Sequence, residues 1–233
     1  MGRINGLEAL VSEVRAGSRI KYLHFWGHRP RPDGTIGASC LSQWWPSPFV
    51  VDGKHYATAE HWMMAGKARL FGDERAEERV LSAARPAEAK KAGRLVRGFD
   101  EEIWERERFR IVVEGSVHKF AADDALRAFL LGTGDRVLVE ASPLDRVWGI
   151  GLPAADDAAS DPERWRGLNL LGFALMEARA ELAGRLLRPA ALSGPGLGAG
   201  GGPGLRATGA LGGAGAARQR SDATVAEREW AEP

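Results

Sequence analysis

Pro48-Phe49-Val50-Val51-Asp52-Gly53-Lys54-His55-Tyr56-Ala57-Thr58-Ala59-Glu60-His61-Trp62 is the stretch on which the reading of the fold turns. Asp52-Gly53 separates the runs Pro48 to Val51 and Lys54 to Ala57, and an Asp-Gly pair accepts the positive φ angles of a tight hairpin. Thr58 follows at once as an N-cap candidate, so a helix is expected from there to about Phe71, where Gly72 ends it. Glu60 then falls in that helix's first turn.

Upstream, Leu7, Leu10, Val11 and Val14 form one apolar stripe on a short helix that Gly17 stops, an N-terminal extension over residues 1–19. Ile20 to Trp26 alternates like a strand and runs into a Pro/Gly-rich loop, His28 to Gly37. Downstream, Asp73 caps a helix to Ala83, Pro86 sits in the first turn of another, and Asp100 opens a long one carrying Ile103, Trp104, Ile111 and Phe120. Val137 to Ala141 reads as a short buried strand, and Leu170, Leu171, Ala174, Leu175, Ala178 and Leu182 stripe a last helix closed by Gly184. Short strands among many helices make the class α+β, as one compact helix-rich domain over residues 20–184. From Gly194 to Gly215, eleven of twenty-two residues are glycine. Such a composition cannot bury enough apolar area to offset chain entropy, so residues 185–233 are expected to be a disordered tail.

The 32 basic and 31 acidic side chains leave a formal charge of +1, too little to draw nucleic acid or anionic lipid by bulk electrostatics. Any phosphate must be met locally. With one cysteine, Cys40, no intramolecular disulfide can form, and a small buried apolar role is expected for it. No apolar run is long enough to span a bilayer and no secretion signal opens the chain, so a cytoplasmic location without membrane partners is expected.

The five histidines, His24, His28, His55, His61 and His118, hold no His-Glu-x-x-His pattern, and no Gly-x-Ser-x-Gly elbow is present. Neither a metal site nor a nucleophilic triad is expected, and no cofactor. Acids, amides and tryptophans concentrate instead in Leu41 to Phe49, Thr58 to Lys67 and Val139 to Leu152. Lys67 lies seven residues after Glu60, two helical turns along the same face, which suits either a grip on two ends of a sugar phosphate or an ordinary solvated face.

In the order in which they occur, Leu41-Ser42-Gln43-Trp44-Trp45-Pro46-Ser47-Pro48-Phe49, Ala59-Glu60-His61-Trp62 with Lys67, Phe99-Asp100 with Trp104, Lys119-Phe120, Leu138-Val139-Glu140 with Asp145-Arg146-Val147-Trp148-Gly149-Ile150-Gly151, and Asn169-Leu170-Leu171-Gly172 resemble the ordered motifs of the NADAR or YbiA-like family. The match spans roughly Tyr22 to Leu182. The resemblance implies a helix-rich α+β domain acting as an N-glycosidase on ribosylaminopyrimidine phosphates of early riboflavin synthesis, with ADP-ribose removal from guanine as the neighbouring activity. It places the catalytic glutamate at Glu60 and a second pocket motif at Asp145 and Trp148. It further implies substrate contacts from Ser42, Gln43, Trp44, His61, Gly149 and Asn169. Where this chain has Gln43 the family commonly has Asn, which moves the amide by about one methylene. Trp44 and Trp45 suit either packing under the loop or base stacking.

Breaking a ribosyl C–N bond builds positive charge on the sugar, which a fixed carboxylate stabilises. Glu60 suits that role, and its place at a helix N-terminus is expected to favour the ionised form. Asp145 is the candidate to position or protonate the leaving nitrogen, with Glu140 a weaker competitor. Trp104 or Trp148 could stack on the base, and Lys67 and Arg146 could hold phosphate oxygens. The expected partner is thus a small ribose-phosphate or ADP-ribose-type molecule, with nucleic acid only under the guanine reading. A non-catalytic NAD or ADP-ribose sensor, or a scaffold tethered by its tail, would share the same pocket motifs. The oligomeric state is not readable from the sequence.

Overall fold

Gly17, at φ +83, ends helix α1 (Leu7–Arg15), whose Leu10 is fully buried. The structure, a computed structural model, describes residues 4–187. Strand β1 (Tyr22–Phe25) leads through a loop and a 3-10 turn, Ala38–Leu41, to the hairpin of β2 (Phe49–Val51) and β3 (Lys54–Tyr56). The pair is antiparallel, with Phe49 opposite Tyr56 and Val51 opposite Lys54. Asp52 and Gly53 take φ angles of 50° and 75°, the left-handed pair that the sequence anticipates.

Helix α2 (Ala59–Leu70) starts after Thr58, but the Thr58 hydroxyl does not cap it. That hydroxyl meets His61 Nδ1 at 2.8 Å, and the Glu60 N–H is satisfied by the Gln43 carbonyl at 3.0 Å. Asp73 accepts from Ala76 N and opens α3 (Glu74–Leu81), while Arg97 binds the same carboxylate and holds it well below the usual range. Pro86 opens α4 (Pro86–Arg94), and Asp100 caps α5 (Glu101–Ala121) by accepting from Ile103 N. Asp123 then caps α6 (Asp124–Gly132), a helix that the sequence reading left unassigned. After β4 (Val137–Glu140) and two 3-10 turns, α7 (Leu170–Leu187) closes the fold.

Gly184 does not stop α7. A glycine inside a helix costs only about 1 kcal/mol, and the Arg185–Glu181 pair at 2.6 Å supports the final turn. The helix therefore occupies residues 185–187, where the tail was expected to begin; the rest of that tail lies outside the described residues.

Strands β1 and β4 pair in parallel, Tyr22 beside Val137 and Phe25 beside Glu140. Every residue of β4 is buried, as expected of a strand covered on both faces. Side chains alternate along it: Val137 and Val139 join Leu10, Ile150 and Phe173 behind the pair, whereas Leu138 joins the larger cluster of Trp62, Ile111, Phe120, Leu171 and Leu175. The same alternation turns Glu140 to the Leu138 side. Helix α2 packs against α3, α4 and α5, and α5 against α7, while Glu60 at the start of α2 lies within electrostatic reach of Glu140 at the end of β4. The architecture is the helix-rich α+β class read from the sequence. Among the described residues no helix is long and apolar enough to cross a membrane.

Candidate active site

Glu60, in the first turn of α2, is 3% exposed, and the Trp44 side chain donates a hydrogen bond to its carboxylate. Its Oε1 has no hydrogen-bond partner among the described residues. Burial pushes its carboxyl up to about 7, against the lowering influence of Lys90, the Trp44 hydrogen bond and Arg94; Asp145 raises it further. The helix N-terminus was expected to keep this acid ionised. Loss of water outweighs that contribution, which is small next to the desolvation of a buried charge.

Glu140 closes β4 at 5% exposure, with Oε2 also lacking a hydrogen-bond partner among the described residues. Burial is again the main cause that pushes its carboxyl up, to about 8, with Asp145 and Glu60 adding repulsion and Lys90 opposing it. Asp145 stands differently. Its Oδ1 accepts the Val147 and Trp148 N–H groups at 2.9 and 2.7 Å. That oxygen is spent on shaping the loop, and what Asp145 brings to the two glutamates is negative charge.

Lys67 lies half-buried on α2 with its ammonium 4.0 Å from the ring centroid of Phe99, just before α5, and 5.4 Å from that of Trp104 on α5. Burial and the nearby Arg94 lower its pKa. Arg94 also acts on Glu60, and Lys90 on both glutamates. Sequence reasoning missed these two residues. They stand i and i+4 on α4, one helix face, and that spacing was the available signal. Gln43 is 7% exposed with its Nε2 unpartnered among the described residues, one residue from Trp44 and bonded through its carbonyl to the start of α2.

Other expected contacts are internal. His61 is 1% exposed; its Nε2 donates to the Ala83 carbonyl at 3.1 Å, and its Nδ1 therefore accepts from Thr58. Neither nitrogen is left for a substrate, and the ring clamps α2 to the segment before α4. Asn169, fully buried at φ 54°, accepts from Glu140 N and donates to the Leu138 carbonyl, both at 2.9 Å. Its amide acts as a neighbouring strand for β4 and cannot reach a ligand. Gly149 is buried, and a Cβ there would stand 2.8 Å from the Glu140 carbonyl, so the glycine serves chain packing. The Ser42 hydroxyl accepts from Trp44 N at 3.2 Å and shapes the turn before it. Trp148 is half-buried against the main core, and the Arg146 side chain is exposed on the loop. The structure thus gathers Gln43, Trp44, Glu60, Glu140, Asp145, Lys90 and Arg94 around one spot, with Lys67 and Trp104 at its flank.

A groove of ≈ 440 Å³ lies against other residues of α2, lined by Tyr56, Trp62, Arg69 and Ile111 among others. Its cations are already neutralised: Lys54 and Arg69 share Glu77, and Arg110 pairs with Glu107 and Glu114. Glu60 and Glu140 are absent from its walls.

A family model described as the NADAR domain matches residues 24–183. An N-glycosidase of Acanthamoeba polyphaga mimivirus is 41% identical over 167 residues, covering 69% of this chain and 96% of that protein. An N-glycosidase of Nostoc punctiforme is 33% identical over 143 residues, covering 61% of this chain and 85% of that protein. The NMR structure of the Escherichia coli protein YbiA superposes with a TM-score of 0.57 at 27% identity, covering 77% of this chain and 96% of that one.

Proposed function

Because this chain belongs to the NADAR family, we propose that it is an N-glycosidase that hydrolyses the ribosyl C–N bond of a ribose-phosphate metabolite, a ribosylaminopyrimidine phosphate of early riboflavin synthesis. The carrying observation is Glu60: a carboxyl 3% exposed, with one oxygen unpartnered among the described residues and cations on the facing helix. The naming of curated relatives as N-glycosidases supports the reaction class.

The chemistry follows from the site. As the C–N bond lengthens, positive charge grows on the anomeric carbon and ring oxygen. An ionised carboxylate about 4 Å away contributes roughly 4 kcal/mol at an effective dielectric of 20, of the order of a thousandfold in rate. The same carboxylate takes the proton of the attacking water. With one oxygen held by the Trp44 indole, Glu60 keeps the other unpartnered among the described residues and available for the reacting centre. The Gln43 amide is suited to a ribose hydroxyl. Lys67 and Arg94 supply charge for the phosphate, and the Phe99 and Trp104 rings beside Lys67 suit a flat base.

A substrate panel tests this reading. Ribosylaminopyrimidine phosphate, NAD and ADP-ribosylated guanine are each incubated with the protein, and released ribose 5-phosphate, nicotinamide and ADP-ribose are measured. Ribose 5-phosphate from the first substrate is expected. Turnover of ADP-ribosylated guanine alone would move the substrate class, and binding without any product would refute the enzyme reading.

A further inference from the structure

Two acids here are more than nine-tenths buried, and each keeps an oxygen without a hydrogen-bond partner among the described residues: Glu60 Oε1 and Glu140 Oε2. Leaving a buried polar atom unpaired costs about 1–3 kcal/mol, so two on neighbouring acids mark a place shaped for something other than folding. They come from different elements. Strand alternation turns Glu140 to the Leu138 side, toward the cluster that α2 completes.

The charged groups facing Glu140 are Asp145 from its own loop, Glu60 from α2 and Lys90 from α4. From β1 its neighbour in register is Phe25, and the residue bonded to its N–H is Asn169; neither carries charge. Three carboxyls gathered out of water beside Lys90 and Arg94 cannot all be ionised, and Glu140, more than nine-tenths buried with one oxygen unpartnered among the described residues and both other acids facing it, is the one that keeps its proton. Asp145 differs from both glutamates in that its Oδ1 accepts two backbone N–H groups, which ties the side chain to its own loop.

We propose that Glu140 is the catalytic acid of this site, delivering its proton to the departing nitrogen while Glu60 receives one from water; the assignment rests on the N-glycosidase reading above. The step balances. The C1′–N pair leaves with nitrogen, which takes the Glu140 proton and departs as a neutral amine. Water oxygen bonds to C1′ and gives its proton to Glu60, and the proton then passes from Glu60 to Glu140, directly or through solvent, restoring both.

Two measurements test it. In infrared titration from about pH 6 to pH 9, Glu60→Gln should retain a protonated-carboxyl band that Glu60→Gln/Glu140→Gln lacks; no such band in Glu60→Gln overturns the proposal whatever the activity. In kinetics on N-aryl ribosylamine 5-phosphates, Glu140→Gln should slow the most basic leaving amine by about a hundredfold or more. That loss should shrink as nitro groups make the amine less basic. A loss uniform across the series, or none, overturns the proposal. Wild-type protein that releases ribose 5-phosphate from no substrate would instead sink the N-glycosidase reading, and the infrared result would still decide where the proton resides.

Discussion

Replacing Glu60 by Gln should make the protein more stable, and increasingly so as pH rises from about 4.5 to about 7. Burial raises this carboxyl from an ordinary 4.5 to about 7. Its proton therefore binds the folded state more tightly than the unfolded one. The stability so contributed is complete below about pH 4.5 and is lost as pH rises through about 7. At about 1.4 kcal/mol per pH unit, the loss by pH 8 is about 3 kcal/mol. The amide has nearly the same shape, can still accept from the Trp44 indole, and never ionises. Glu140 stays in both proteins, and losing the Glu60 charge eases its ionisation, which adds to the variant's gain at pH 8 in the same direction. Urea unfolding of wild type and Glu60→Gln at pH 5 and pH 8 reads the effect directly. The variant should be more stable by no more than about 1 kcal/mol at pH 5 and by about 3 kcal/mol at pH 8, a large share of a typical 5–15 kcal/mol. A difference independent of pH, or a variant less stable at pH 8, would refute the claim that this acid is held out of water.

Asn169→Ala strands the Glu140 N–H and the Leu138 carbonyl and should cost about 2–4 kcal/mol in urea unfolding; an unchanged midpoint would deny the amide its role as a false strand. Burial pushes the Cys40 thiol up to about 11, so labelling by a disulfide reagent at pH 8 should follow unfolding and not local exposure; rapid labelling of native protein would contradict the packing. Lys67→Met should raise KM at least tenfold for a phosphorylated substrate and far less for its dephosphorylated counterpart; equal effects on both would remove Lys67 from phosphate binding.

What could be read from the sequence is what the chain decides locally. The Asp52-Gly53 turn, the caps at Asp73 and Asp100 and the stripe on α7 depend on residues within a few positions of one another. Glu60 was recognisable by its motif, yet its proton affinity was not, because its burial and its contact with Trp44 are tertiary events. His61 and Asn169 belonged to the same motifs and turned out structural, since their partners, Ala83 and the Leu138–Glu140 strand, are remote in sequence. Lys90 and Arg94 were visible as one helix face, but nothing local tells which side of a charged helix meets a carboxylate and which meets water. Helix α6 escaped because its cap, Asp123, follows α5 after a single intervening residue, so one long helical pattern masked two.

The central claim is that the Glu60 carboxylate drives the breaking of a ribosyl C–N bond, and single-turnover hydrolysis of the ribosylaminopyrimidine phosphate at pH 8 by wild type and Glu60→Gln tests it most directly. The account predicts a fall of about a hundredfold or more, with substrate affinity kept within severalfold and the variant fully folded. A variant that hydrolyses the substrate at the wild-type rate would contradict it.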